Sequence, residues 1–298
     1  MGARSTPARA RQSRTGLFFA RSRTASVCWR SDFYRGRSHA VPCTSGNRPG
    51  LTLPDSNTLR RACLQPTHSA RADNRLLASL PEKDLTRFLT ACETVELAFG
   101  AVLAEPNEAM RQVYFPTGCF ISLVSKIDGQ ESLEVGLVGD EGMLGATLVL
   151  GVDTSPLHAL VQGAGKALCM ETASFVRELD QMPELRRVLK RYLYAVIGQL
   201  AQNAACSHHH VVEARLARCL LMTQDRAHSN HFHVTHEFLA YMLGVRRVGV
   251  TTAATALHNR QLIDYSRGDV IVLDRAGLEA ASCACYEADN ATYERMMG

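Results

Sequence analysis

Residues 235–275, THEFLAYMLGVRRVGVTTAATALHNRQLIDYSRGDVIVLDR, hold the pattern that decides the fold of this chain. Thr235 is a good N-cap, since a threonine oxygen accepts from an N–H that the first helical turn leaves free. Phe238, Leu239 and Met242 then recur as an inward stripe, and Gly244 stands where a helix end needs a left-handed residue. A second helical stretch starts at once, with Val248, Val250, Ala254 and Leu257 as its apolar face and Arg246, Arg247, Thr251 and Thr252 pointing elsewhere. Two helices joined by three or four residues around a glycine form a helix-turn-helix, whose second helix enters the major groove of DNA. Beyond it, Leu262-Ile263-Asp264-Tyr265 and Val270-Ile271-Val272-Leu273 flank the turn-rich Ser266-Arg267-Gly268-Asp269, which predicts a two-stranded wing. Any two packed helices around a glycine fit the first pattern; the wing at the right distance gives it weight.

Upstream of this head, a long helical segment runs from Glu184 to about Cys206. Leu189, Leu193, Val196 and Leu200 recur along it at spacings of 4, 3 and 4, which predicts a seam for a second copy of the helix. The alternative is an ordinary amphipathic helix packed on its own domain. Dimerisation suits the head, because a helix-turn-helix usually reads two half-sites across a two-fold axis. Earlier still, residues 76–174 alternate short β-prone runs (among them Gln112 to Phe115, Cys119 to Val124, Ser132 to Val138, Leu157 to Gln162 and Ala167 to Met170) with turns at Pro116-Thr117-Gly118, Asp128-Gly129 and Gly163-Ala164-Gly165. Many short strands separated by turns predict a jelly-roll barrel. The expected fold is therefore α+β: an N-terminal jelly-roll β-barrel (76–182), a long dimerisation helix (183–207), a winged helix-turn-helix (208–287) and a tail (288–298).

Charge is distributed unevenly. The chain of 298 residues carries a formal +4, but residues 1–75 hold 14 arginines, no lysine and three acids, a net +11, which leaves 19 basic and 26 acidic residues, a net −7, for the rest. Any attraction to DNA must come from a local patch of an acidic body. Residues 1–75 are rich in Arg, Ser, Thr, Pro and Gly and poor in apolar periodicity, which predicts disorder. They read as an unstructured extension or an upstream start, as a basic arm adding nonspecific DNA affinity, or as an imitation of a transit peptide. No apolar run approaches the length of a membrane span, so no membrane partner is expected. The ten cysteines are scattered without a C-x-x-C pair and read as reduced cytosolic thiols, which predicts a cytoplasmic protein. Cys283 and Cys285, two apart on an expected C-terminal helix, should point to different faces.

In this order, barrel, seam helix and winged head resemble the Crp/Fnr family of bacterial transcription regulators. The resemblance covers residues 76–287. It rests on Tyr114-Phe115-Pro116-x-Gly118-x-x-Ile121-Ser122, Gly139-x-x-Gly142-x-x-Gly145, Val212-Glu213-x-Arg215-Leu216-x-Arg218, Thr235-His236-Glu237-Phe238-Leu239-Ala240 and Leu243-Gly244-Val245-Arg246-Arg247. It implies an effector-type barrel, a homodimer through the long helix, and binding to double-stranded promoter DNA. Activation would further require a surface for RNA polymerase, which no motif locates.

A cyclic-nucleotide site in this fold needs an acid beside the glycine-rich turn for the ribose and an arginine for the phosphate. Here Gly142-Met143-Leu144-Gly145-Ala146 puts Ala146 at the acid's place, and Ser155-Pro156-Leu157-His158 puts Leu157 at the arginine's, with neutral His158 a poor substitute. Gly142, Gly145, Ala146, Leu157 and His158 are thus candidate pocket residues for an unidentified effector other than cyclic AMP, or part of a scaffold that takes none. Cys28, Cys43, Cys63 and Cys92 are too dispersed for the family's iron–sulfur pattern. His208-His209-His210 at the hinge and His228, His231, His233 and His236 before the head suggest zinc or nickel, against a reading in which loop histidines only solvate or touch phosphate. No cofactor or metal is expected, a metal- or redox-responsive regulator using the hinge histidines or Cys206 and Cys219 being the alternative.

In the head, the resemblance makes Arg247 the principal base reader, bidentate to guanine O6 and N7. Arg246 accompanies it, Thr251 and Thr252 follow one turn on, and Val248 replaces an acid that reads cytosine in many relatives, so contact with a thymine methyl is expected there. Thr235, His236 and Arg267 at the wing tip are expected on phosphates. A cupin-type barrel enzyme is the rival of another class. It would need several histidines and a carboxylate inside the barrel, yet residues 76–174 contain only His158, and no nucleophile elbow, Walker loop or HExxH occurs. No enzymatic activity is expected.

Overall fold

The computed structural model describes residues 73–125 and 133–298. The expected basic extension up to residue 72, the turn at Asp128-Gly129 and the strand start at Ser132 lie outside the described residues. Two short helices, α1 (Arg75–Ala78) and α2 (Glu82–Thr90), lead into seven strands: β1 (Glu93–Leu97), β2 (Val102–Ala104), β3 (Gln112–Pro116), β4 (Phe120–Ser125), β5 (Leu133–Val138), β6 (His158–Gly163) and β7 (Gly165–Glu171). They form two antiparallel sheets, ordered β1-β7-β3 and β2-β6-β4-β5. Strand β1 escaped the sequence reading because Glu93-Thr94-Val95-Glu96-Leu97 places only Leu97 in the core and leaves the glutamates outside. Phe88, Phe115 and Phe175 fill one end, Phe88 meeting the other two edge-on at 5.3 and 6.4 Å between ring centres, the geometry that ring quadrupoles favour. Buried Asn74 stitches the start of the domain to this barrel: its oxygen accepts from Leu77 N–H at 3.0 Å, and its amide donates to the carbonyls of Pro116 at 2.9 Å and Gly142 at 3.1 Å.

After α3 (Thr172–Gln181), the long helix α4 (Pro183–His209) starts on a proline whose missing N–H costs nothing in a first turn. Its faces differ from the expected seam. Leu189 is 0% exposed, packed with Leu185, Val188 and Tyr192 into the barrel core, and Val196 joins the same cluster beside Tyr293. Leu193 and Leu200 are half-buried. The open face instead carries Tyr194, 56% exposed, and Ile197, 62% exposed, with Ala201 and Ala204 continuing the 3-4-3 spacing. Two interleaved apolar stripes run along one helix, and periodicity alone does not say which one the chain's own barrel takes.

The remaining elements are α5 (Val212–Ala227), β8 (His231–His233), α6 (His236–Leu243), α7 (Arg247–Asn259), β9 (Ile263–Ser266), β10 (Asp269–Val272), α8 (Arg275–Ala281) and α9 (Cys285–Met297). Leu216, Leu220, Leu239, Val250, Leu257, Val270 and Leu278 form their core, which Phe120 and Leu137 of the barrel enter, so barrel and head share one apolar cluster. The expected tail 288–298 is instead the body of α9, packed along α4. Its inward face includes Tyr286, Asp289 and Tyr293. Asp289 hides the apolar stripe in the sequence, but its carboxylate receives the buried guanidinium of Arg218. Arg215 donates to the carbonyl of Leu243 at the end of α6. No helix among the described residues is long and apolar enough to cross a membrane.

Candidate nucleic-acid interface and effector barrel

Thr235 caps α6, its oxygen accepting from Phe238 N–H at 3.1 Å, and Gly244 ends it at φ +60° with its N–H on the carbonyls of Ala240 and Tyr241. Helix α7 then opens on Arg246 as N-cap residue and Arg247 as first helical residue. Arg246, Arg247, Val248, Thr251 and Thr252 are all exposed. Val248 departs from the apolar face assigned to it: at 69% exposure it stands outward beside the arginines, while Val250, Ala253, Ala254 and Leu257 are buried. An apolar side chain that open, at the tip of a helix bearing two uncompensated guanidinium groups, suits contact with a base methyl. Thr251 and Thr252 return their hydroxyl protons to the carbonyls of Arg247 and Val248 at 3.1 and 3.0 Å, which leaves oxygen lone pairs and methyl groups outward.

His236 is less free than expected of a phosphate ligand. Its ring stacks on Tyr265 at 4.1 Å and 9°, and its Nδ1 meets the Thr251 hydroxyl at 3.2 Å. Burial, helped by the charge of Arg247, pushes its pKa down, which favours the neutral ring. It therefore pins α6, α7 and the wing to one another. The wing sheet has three strands, β8-β10-β9, rather than two. Its tip is a two-residue loop, Arg267-Gly268, with φ of +52° and +95° between the paired residues Ser266 and Asp269. Positive φ at both central residues is the type I′ requirement, usually met by Asn-Gly. An arginine held there and exposed is a strained choice that local folding does not explain.

The barrel positions present no anion site. A Cβ on Gly142 would lie 2.3 Å from the Tyr192 hydroxyl, because that hydroxyl closes onto the turn and accepts from Met143 N–H at 3.2 Å. Gly145 holds φ +108°, and Ala146 starts a 3-10 turn packed on the barrel core. Leu157 is half-buried. His158 is 3% exposed and bound to Glu105 at 2.9 Å, so it is engaged with a carboxylate rather than offered to a ligand. The charged groups of this region turn toward the head instead: Glu141 binds Arg226 of α5 at 2.6 Å and Asp140 binds His228 at 3.3 Å. They line a cleft of about 430 Å³ with Arg75, Tyr192 and Asp289. No spacing in the sequence announced it, since its walls come from the glycine-rich turn, α4, α5 and α9.

The candidate histidines separate: His231 and His233 both face Asp269, at 3.7 and 3.1 Å, while His228 goes to Asp140. Cys283 and Cys285 are not on different faces of a helix. Cys283 lies in the link before α9, Cys285 opens that helix, and both turn toward Cys206.

A family model for the Crp-like helix-turn-helix domain matches residues 214–281. No curated protein matches the chain in sequence. Among solved structures, FixK2 from Bradyrhizobium japonicum superposes with a TM-score of 0.55 at 12% identity, over 65% of this chain and 98% of that one. A protein described as a transcriptional regulator of the Crp/Fnr family from Eubacterium rectale gives 0.55 at 14%, over 69% and 96%. The c-di-GMP responsive global regulator CLP from Xanthomonas campestris gives 0.54 at 15%, over 64% and 99%. The chain thus has the fold of these regulators, and its residues 214–281 match the Crp-like helix-turn-helix domain.

Proposed function

We propose that this protein is a cytoplasmic, homodimeric transcription regulator that binds a near-palindromic promoter site and catalyses nothing. The observation that carries the reading is the exposed row Arg246, Arg247, Val248, Thr251 and Thr252 at the start of α7, locked to the Arg267 wing through His236. Arg247 reads a guanine, Val248 touches a thymine methyl, and Arg246, Arg267 and the Thr235 hydroxyl take phosphates. Two copies pair through the open stripe of α4, Tyr194, Ile197 and Ala201, flanked by Leu193 and Leu200. The barrel differs in charge from a cyclic-AMP site at Ala146 and Leu157, so an effector, if one acts, has another chemistry. RNA polymerase contact belongs to this reading only where the protein activates.

The test is selection of binding sites by the full chain from random duplexes at fixed salt, alongside Arg247→Ala. A two-fold symmetric site with half-sites about one helical turn apart supports the reading. The substitution should cost ~1–3 kcal/mol and relax one base position. Failure to enrich any sequence, with and without cell extract, would overturn it.

A further inference from the structure

The end of α4 meets the link between α8 and α9, with Ala214 of α5 packed against the junction. Cys206 lies on the last turn of α4 and His210 is its C-cap residue, its N–H on the Cys206 carbonyl, so both stand at that end of the helix. Cys283 and Cys285 come from the opposite wall. The four donor atoms all lie within 4.8 Å of one another, with Cys206 Sγ 3.5 Å from Cys283 Sγ and Cys285 Sγ 3.5 Å from His210 Nδ1. The three cysteines are buried and His210 is half-buried. His158, His228, His231, His233 and His258 each meet a carboxylate; here three sulfurs and one imidazole converge.

The donor set and its spacing suit one kind of ion. Tetrahedral zinc, with bonds of about 2.3 Å to sulfur and about 2.0 Å to nitrogen, holds its ligand atoms roughly 3.5–3.8 Å apart. Two donor pairs already have that spacing, and the widest needs to close by about 1 Å. The surroundings complete the requirement. Gln202 Nε2 donates to Cys285 Sγ at 2.9 Å, an outer contact that fixes the sulfur. Arg218, paired with Asp289, lies near enough to Cys206 and Cys283 for its charge to act on both. A Cys206–Cys283 disulfide would account for two of the four groups and leave Cys285 and His210 unexplained.

We propose that Cys206, His210, Cys283 and Cys285 bind one Zn²⁺ per chain in a closed tetrahedral Cys₃His site. Binding displaces the thiol protons to solvent and changes no oxidation state. With no open coordination position, the site is a clasp: it ties the C-terminal end of α4 to the start of α9.

The full chain, purified under reductant, tests this without reference to DNA. Metal analysis should find about one zinc per chain, and Co²⁺ loaded after chelation should give thiolate-to-cobalt charge transfer with tetrahedral ligand-field bands. Cys206→Ser, Cys283→Ser and His210→Ala should each weaken Co²⁺ binding at least about tenfold, and Cys219→Ser, buried outside the cluster, should leave it intact. Because a serine variant can fail to fold, alkylation of the unaltered protein with and without chelator is read by peptide mass spectrometry. Chelation should expose Cys206, Cys283 and Cys285 together and leave Cys219 unchanged. Cobalt binding that survives all three substitutions, reduced protein that takes no metal, or chelation that alters none of the three cysteines would overturn the proposal.

Discussion

Replacing Arg267 by Asn should separate stability from DNA affinity by moving them in opposite directions. Arg267 sits at φ +52° in a two-residue loop whose other central residue, Gly268, is at +95°. The left-handed conformation costs an ordinary L-residue roughly 1–2 kcal/mol, a penalty that Asn largely escapes. No local contact of Arg267 offsets that cost: the side chain is exposed and the turn is closed by the backbone pairing of Ser266 with Asp269. Arg267→Asn should therefore stabilise the protein by about 1 kcal/mol, which for a domain of this size raises Tm by ~2–4 °C. If Arg267 binds a phosphate, the same change removes one counterion-releasing contact per subunit and flattens the dependence of log K on log salt by about 0.9 for each, or about 1.8 for a dimer. Thermal unfolding and fluorescence anisotropy on the selected duplex at several salt concentrations measure the two effects. A lower Tm would refute the type I′ argument, and an unchanged salt slope would refute the phosphate contact.

Three further outcomes follow from other parts of the structure. Ile197→Asp puts a charge on the open stripe of α4 and should dissociate the dimer at micromolar concentration in analytical ultracentrifugation, whereas Leu189→Ala should lower monomer stability by about 2–5 kcal/mol through a barrel cavity and leave association intact. Gly142→Ala forces a methyl to 2.3 Å from the Tyr192 hydroxyl and should cost ~1–3 kcal/mol, partly recovered by Tyr192→Phe, in denaturant titrations. Glu134, on β5, has its carboxyl pushed up to about 8 by burial, against the opposing hydrogen bond from Ser122 and the charges of Arg226 and Arg218. The folded state then keeps a proton that the unfolded state, with a pKa of 4.5, releases, so stability falls as pH rises from 4.5 to about 8. Full linkage would be about 5 kcal/mol, and partial water access reduces it to about 2. The stability advantage of Glu134→Gln over the parent should grow across that window and level off above it; an advantage independent of pH would count against the assignment.

What the sequence disclosed depended on whether a signal was local. The helix-turn-helix and wing were legible because caps, turns and stripes lie within 41 consecutive residues, and the barrel because turns punctuate its strands. Where a decision belongs to tertiary packing, periodicity misled. Along α4, two stripes satisfy the same 3-4 spacing, and only the docking of the barrel and of α9 shows that Leu189 and Val196 are consumed internally while Tyr194 and Ile197 stay open. Val248 fits an apolar helix face, yet Val250, Ala254 and Leu257 already complete that face and leave it outward.

The C-terminal helix shows the same limit from the polar side. Asp289 breaks the stripe of Tyr286 and Tyr293, so the segment reads as a tail, and only Arg218, 71 positions earlier, makes burying that carboxylate tolerable. The same packing brings Cys283 and Cys285 to Cys206, across 77 positions for the first pair. Sequence spacing identifies a metal site when the ligands share a loop, as in C-x-x-C pairs. It is silent when one half comes from the end of α4 and the other from the start of α9, which packs along it. The buried salt bridge and the thiol cluster are therefore one structural event: Arg218→Leu should loosen α9 and open the cluster together, and labelling of Cys283 should rise in step with loss of the α9 helix signal.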